Sequence, residues 1–408
     1  MRKIIYTIAL FCLFLAACEK SEDFHYKQSV IDAEAVDSIL LKANHDMMVA
    51  TPQNALTLTL SLYTRIDKPD TTLYYHLLNS RVKEGGIRYY YRTTAGEEKE
   101  FSGNLFYGLP SVSGEITLYA KVFDRKSNEV KVNVREAKTP DHYIERDIQV
   151  IFHVVEYGGL AETDYSLVPE FMLKKLKKAN IAFRKTASLA PNATDVKLNF
   201  VPATKAPNGS VLQSPGWDLL TISESTVEET IAAGKTFDFN TFITKKKLAW
   251  DYTQYLNIWI VRTSKTIPSP SPCFITETTA GLNGLKLKVV APPYSFLPTD
   301  YGIILEYNQF VKEDLAYYLG QYLGLLPTSY PKKKIPAVDT DYCEDTFMYS
   351  SNDDRYDFKT DPKRNITYPS DNIMDKKSTS TTITYDQLKR ILLILENSPV
   401  RQNWQAKQ

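Results

Sequence analysis

From Asn54 the chain alternates: Leu56, Leu58, Leu60 and Leu62 are apolar, while Thr57, Thr59 and Ser61 between them are polar. A period of two puts the leucines on one face, as a half-buried strand requires. Further strand-like runs follow at 72–78, 87–93, 101–107, 115–123 and 129–135, and the last two flank Asp124–Asn128 as the arms of a hairpin. Short alternating strands with turn residues between them predict a two-sheet β-sandwich over residues 36–137. Glu136–Asp147 is charged, carries Pro140 and marks a boundary, with a second unit over 138–408.

The pattern then changes. Asp147–Val155 (DIQVIFHVV) reads as a buried strand, and 166–186 as an amphipathic helix with Val168, Met172, Leu176, Ala179 and Phe183 on one face. Strands are expected at 196–203 and 256–262 and helices near 222–234, over 303–326 and over 385–397. Thr384 followed by Gln387 forms a capping-box pattern at the start of the last helix, whose stripe is Leu388, Ile391, Leu392 and Leu395. Mixed strands and long helices make 138–408 an α/β unit, preceded by a sandwich of immunoglobulin-like or fibronectin-like type.

At the N-terminus, Arg2 and Lys3 precede an apolar run from Ile4 to Ala17, short for a membrane span and suited to a secretory signal over residues 1–17. Leu15-Ala16-Ala17-Cys18 resembles a bacterial lipobox, which implies lipidation at Cys18 and a polar tether over 18–35. Glu19, Glu22 and Asp23 follow, a pattern that in similar lipoproteins accompanies the outer membrane, on its periplasmic side or at the cell surface. The net charge is +1, and the lysine runs at 174–178, 245–247 and 332–334 are short and scattered, which argues against a nucleic-acid partner. Of four cysteines, Cys12 leaves with the signal and Cys18 is lipidated. The remaining two, Cys273 and Cys343, most economically form one disulfide in an oxidising compartment.

Residues 315–327, LAYYLGQYLGLLP, have the rhythm of a zinc-protease helix. Around them stand IQVIFHVV, NIAFRKT, YLNIWIV, DYCEDT, NIMD at 372–375 and ENSP at 396–399. In this order the segments resemble the pappalysin-type metallopeptidases of the metzincin clan, from about residue 147 onward. The resemblance implies a metzincin-like (zincin) fold with a Met-turn at Met374. The family's chemistry needs H-E-x-x-H-x-x-G-x-x-H, in which three histidines hold zinc and the glutamate activates its water. Here the first His position is Tyr317, the Glu position Tyr318, the second His position Gln321 and the third Pro327, while Gly324 is kept. The five histidines are His25, His45, His76, His142 and His153, so none follows residue 153 and a local three-histidine site is ruled out. Zinc is therefore not expected, and Tyr317, Tyr318 and Gln321 are expected to line or fill the cleft.

The resemblance also makes Asp339, Asp341 and Asp345 a calcium candidate, although the loop fails the EF-hand template; a solvated acidic loop is the competing reading. His153 within an apolar strand reads as a hydrogen-bonded core histidine. Asn192, Asn208 and Asn365 begin glycosylation sequons that serve as loop markers. The expected whole is a lipid-anchored envelope protein that binds a protein or peptide through a catalytically inactive metallopeptidase-like cleft. The alternatives are an active zinc metallopeptidase or other hydrolase with an atypical site, and a purely structural surface component.

Overall fold

The computed structural model describes residues 30–137, 145–157, 168–223, 242–243, 246–261, 283, 302–331 and 335–397. Most of the regular structure is β. Residues 38–135 form ten strands: β1 (Ser38–Ala43), β2 (Met47–Val49), β3 (Ala55–Lys68), β4 (Thr71–Leu77), β5 (Ile87–Thr93), β6 (Glu98–Phe101), β7 (Leu105–Tyr107), β8 (Gly114–Val122), β9 (Arg125–Lys126) and β10 (Val130–Arg135). One sheet has the order β1-β3-β4 with β7 on the start of β3; the other runs β2-β10-β8-β5-β6 with β9 on β8. Leu56, Leu58, Leu60 and Leu62 face Tyr89, Tyr91, Ile116, Leu118 and Val132 in one shared core. Burying each leucine fully stabilises by about 1.5–3 kcal/mol, which is why the alternation sets the face of β3.

The run expected as a single strand at 101–107 is two strands in different sheets. β6 pairs with β5 and β7 with β3. The Ser102–Asn104 bend carries the chain across, fixed by Leu58 N–H donating to Asn104 O at 2.8 Å.

The second unit is built on a parallel sheet of β11 (Arg146–Tyr157), β12 (Leu198–Pro202), β13 (Trp217–Ile222), β14 (Tyr255–Val261) and β15 (Gly302–Glu306). β12 and β13 share one edge of the long β11, the first pairing with 146–150 and the second with 152–157. Every residue of β14 is buried, as in a parallel strand covered on both faces. Helix α1 (Pro169–Phe183) packs on β12 and turns Met172, Leu176, Ala179 and Phe183 into the core.

The helix expected over 303–326 is three elements. Gly302–Glu306 is the buried strand β15, then come α2 (Tyr307–Lys312) and α3 (Leu315–Tyr322). Glu306 opens α2 with a reciprocal cap: Gln309 N–H donates to its carboxylate, and its own N–H donates to Gln309 Oε1. Glu313 then lies extended (φ −97°, ψ 161°), which breaks the helix before α3. The helix expected near 222–234 lies largely outside the described residues, and its first position, Ile222, ends β13.

Beyond α3 lie β16 (Ser329–Tyr330), β17 (Tyr349–Ser350), β18 (Phe358–Asp361), β19 (Ile366–Pro369) and α4 (Tyr385–Asn397). The expected capping box opens α4: Thr384 N–H donates to Gln387 Oε1 at 3.0 Å and Gln387 N–H to Thr384 Oγ1 at 3.4 Å. The two units are joined by direct hydrogen bonds. Asn54 Nδ2 donates to the Pro191 and Ala193 carbonyls at 2.8 and 3.0 Å, and Val49 N–H donates to Pro191 O at 2.8 Å. Arg135 reaches Asp386 at the start of α4, at 2.8 Å.

Candidate functional site: a tyrosine-walled cleft beside α3

Helix α3 is apolar on nearly every side because it runs through the core, and Tyr317 and Tyr318 are both buried. Their rings meet edge to face at 5.4 Å. The Tyr318 hydroxyl donates to Glu313 Oε2, and Lys376 Nζ donates to the same oxygen at 3.2 Å while lying 4.3 Å over the Tyr317 ring. Tyr318, Glu313 and Lys376 thus form one polar network, with the Tyr317 ring packed against it. Burial, reinforced by the Glu313 carboxylate, pushes both phenols well above the usual tyrosine range.

Gly320 and Gly324 fix how this helix sits. A Cβ at Gly320 would come within 2.7 Å of Met374 Sδ and 3.0 Å of Ile373 Cδ1, so the Asn372–Asp375 turn lies directly on the helix backbone. Gly324 has φ +86°, a conformation that strains residues with a Cβ, and it lets Leu325 N–H return to Gly320 O at 2.9 Å. Arg390 from α4 donates Nε and Nη2 to Gly324 O at 3.2 and 3.0 Å. Met374 is buried, and its N–H donates to Asn372 Oδ1 at 2.9 Å.

A cleft of about 470 Å³ opens beside Tyr317, lined also by Glu313, Asp314, Asp354, Asp375, Lys376 and Lys178. Two ion pairs lie on its walls: Lys178 with Asp314 at 2.6 Å and Lys376 with Glu313 at 3.2 Å. Asp375 is buried and accepts from Thr328 Oγ1 at 2.5 Å and Ser370 Oγ at 2.8 Å. Desolvation outweighs those bonds and raises its carboxyl to about 7. Asp375 also walls a second, smaller cavity of about 100 Å³ between the two units, with His45, Asn192, Asp345 and Asp371.

The donor set at the motif positions does not fit zinc. Both tyrosines resist ionisation, and the Tyr318 hydroxyl is already committed to Glu313. Gln321 offers one neutral carbonyl, a weak donor for this cation, whose Oε1 is buried without a hydrogen-bond partner among the described residues. Pro327 is half-buried and has no side-chain donor atom.

The acidic loop splits between partners. Asp339 meets Lys363 and Arg364, Asp341 accepts from Thr346 Oγ1 at 2.6 Å, and Asp345 accepts from Thr384 Oγ1 at 2.7 Å. Among the described residues no group of three or more His, Cys, Asp or Glu is placed to hold a metal ion. Burial raises Asp341 to about 7 and Asp345 to about 6. Cys343 is buried with a free thiol, and Cys273, the expected disulfide partner, lies outside the described residues, as does Cys18.

His153 is buried in β11, stacked on Trp259 at 3.9 Å, with Nδ1 2.8 Å from Asp218 and Nε2 2.9 Å from Asn257. Asn192, first residue of a sequon, is buried and hydrogen-bonded to the Asp345 carbonyl. Glu313, Asp354, Asp375 and Lys376 escaped the sequence reading. The available signal was position for three of them, since Glu313 precedes the motif helix and Asp375 and Lys376 follow Met374; Asp354 carried no such signal.

No protein-family model matches this chain, and no curated protein matches it. Among solved structures it is similar to mature mirolysin of Tannerella forsythia in complex with a cleaved peptide, at 18% identity and TM-score 0.42, over 64% of this chain and 96% of that one. A promirolysin variant from the same organism is similar at 16% identity and TM-score 0.38, over 64% of this chain and 84% of that one. Metalloproteinase-II from Bacteroides fragilis is similar at 8% identity and TM-score 0.24, over 86% of each chain. Among the described residues, no helix is long and apolar enough to cross a membrane.

Proposed function

We propose that this chain is a non-catalytic binding protein whose metzincin-like unit presents the cleft beside α3 to an extended protein or peptide segment. One observation carries the reading: the positions that a zinc peptidase gives to two metal ligands and a general base hold Tyr317, Gln321 and Tyr318, and both tyrosines are buried, Tyr318 bonded to Glu313 and Tyr317 under Lys376. The cleft beside them keeps polar groups on its walls, and peptide binding along a sheet edge or cleft needs no metal. On this reading the immunoglobulin-like sandwich is a spacer or docking unit. The lipobox-like Cys18 anchors the chain in the outer membrane, on its periplasmic side or at the cell surface.

The test is metal analysis of purified protein dialysed without chelator, paired with incubation against a diverse peptide library read by mass spectrometry. The expected result is no stoichiometric zinc, uncleaved peptides, and a subset retained by the protein but lost in Lys376→Glu. One zinc per chain with cleavage that a chelator abolishes would overturn the proposal.

A further inference from the structure

Among the described residues β4 is an edge strand of its sheet, next to β3 on one side only, and all seven of its residues are exposed or half-exposed. The β3–β4 hairpin runs past the end of the sandwich core. Leu62 is buried, but farther along the same face Ile66 is 44% exposed, with Leu73 opposite it and Tyr75 (48% exposed) opposite Thr64. The core-facing stripe therefore continues onto an uncovered arm.

Edge strands in soluble proteins are usually guarded by charge, proline, bulges or brevity, because their unpaired backbone groups recruit other strands. The opposite sheet ends on β6, Glu98-Lys99-Glu100-Phe101, which is guarded in that way. β4 reads Thr71-Thr72-Leu73-Tyr74-Tyr75-His76-Leu77, with no lysine, arginine, acidic residue, proline or glycine.

We infer that β4 is a self-association edge on which a second copy of this chain pairs antiparallel across a two-fold axis. The sequence is self-complementary in the register that overlaps all of β4. Centred on Tyr74, that register sets Tyr74 against its own copy, Leu73 against Tyr75, and Thr72 against His76. Leu73–Tyr75 is an aromatic–aliphatic pair, made twice, which extends the Ile66–Leu73 stripe across the axis, and no like charges meet. An isologous contact of this kind closes at two copies and removes both open edges. The two four-stranded sheets, each β1-β3-β4 with β7 on β3, become one continuous eight-stranded sheet.

Tyr74 is 58% exposed, so its substitution leaves the fold intact. The experiment measures the mass of the full chain in solution by light scattering for the wild type, Tyr74→Glu, Tyr74→Lys and an equimolar mixture of the two variants. The expected result is a wild-type dimer, monomers for each variant alone because like charges then face each other, and dimer restored in the mixture. As a check independent of charge, Tyr74→Cys should oxidise to a covalent dimer absent from wild type, since directly opposed strand residues lie within disulfide reach. A monomeric wild type, a dimer indifferent to both charges, a mixture that stays monomeric, or assemblies that grow beyond two copies would each overturn the inference.

Discussion

Raising the pH from about 5 to about 8 should weaken this fold, and Asp375 is the residue that should report it most clearly. Its carboxyl is buried beneath the cleft and titrates at about 7 in the folded chain against 3.8 for an ordinary aspartate. Because the folded pKa lies above the unfolded one, the folded state holds the extra proton between about pH 4 and about pH 7. In that window stability must fall as pH rises, by 1.36 kcal/mol per unit for a single group. From about pH 5 to its titration point, Asp375 alone contributes a loss of about 2–3 kcal/mol. Asp341 and Asp345, raised to about 7 and about 6 by the same desolvation, act in the same direction. The assay is urea unfolding across this range for wild type and Asp375→Asn. The amide is nearly isosteric and can still pair with the hydroxyls of Thr328 and Ser370, so the variant should show a visibly shallower pH slope. Stability that climbs from about pH 5 to about pH 8, or an unchanged slope in Asp375→Asn, would refute the reasoning.

Four further outcomes are expected. Gly320→Ala gains about 1 kcal/mol of helix propensity but drives a methyl into Met374 and Ile373, and overpacking of about 1–3 kcal/mol should leave it net destabilised in urea melts. Gly324→Ala, forced into φ +86°, should cost about 1–2 kcal/mol by the same measurement. Asn54→Ala strands the Ala193 carbonyl at the junction, while Pro191 O keeps the Val49 N–H, and should cost about 1–3 kcal/mol, lowering the thermal midpoint. Cys343, buried and with its thiol pushed up by desolvation, should react with a thiol reagent only after denaturant is added.

Features encoded over a few residues were legible in the sequence, and features assembled from distant ones were not. The alternation of β3 and the Thr384–Gln387 cap involve neighbours whose chemistry acts locally, and both lie where the pattern puts them. The 303–326 run was harder. Gly302–Glu306 is a short apolar stretch that could be strand or buried helix by periodicity alone, and only its pairing with β14 decides. β1 and β2 went unread because six- and three-residue strands carry little pattern. At the candidate site, the substituted positions of α3 could be named in advance, since they lie in one motif. The Glu313–Lys376 pair could not, because it joins residues far apart in sequence.

The hydrogen bonds between the two units bear on how the molecule comes apart. The Leu189, Pro191 and Ala193 carbonyls are satisfied by donors from the sandwich, and the first turn of α4 holds Arg135 through Asp386. His45 stacks on Phe347 at 4.3 Å across the same seam. Melting either unit alone would leave these groups in a partly dry surface with nothing to pair with, at a cost neither unit can absorb cheaply. Denaturation should therefore proceed as a single event, with loss of β-sandwich structure and opening of the α3 cleft following one common curve.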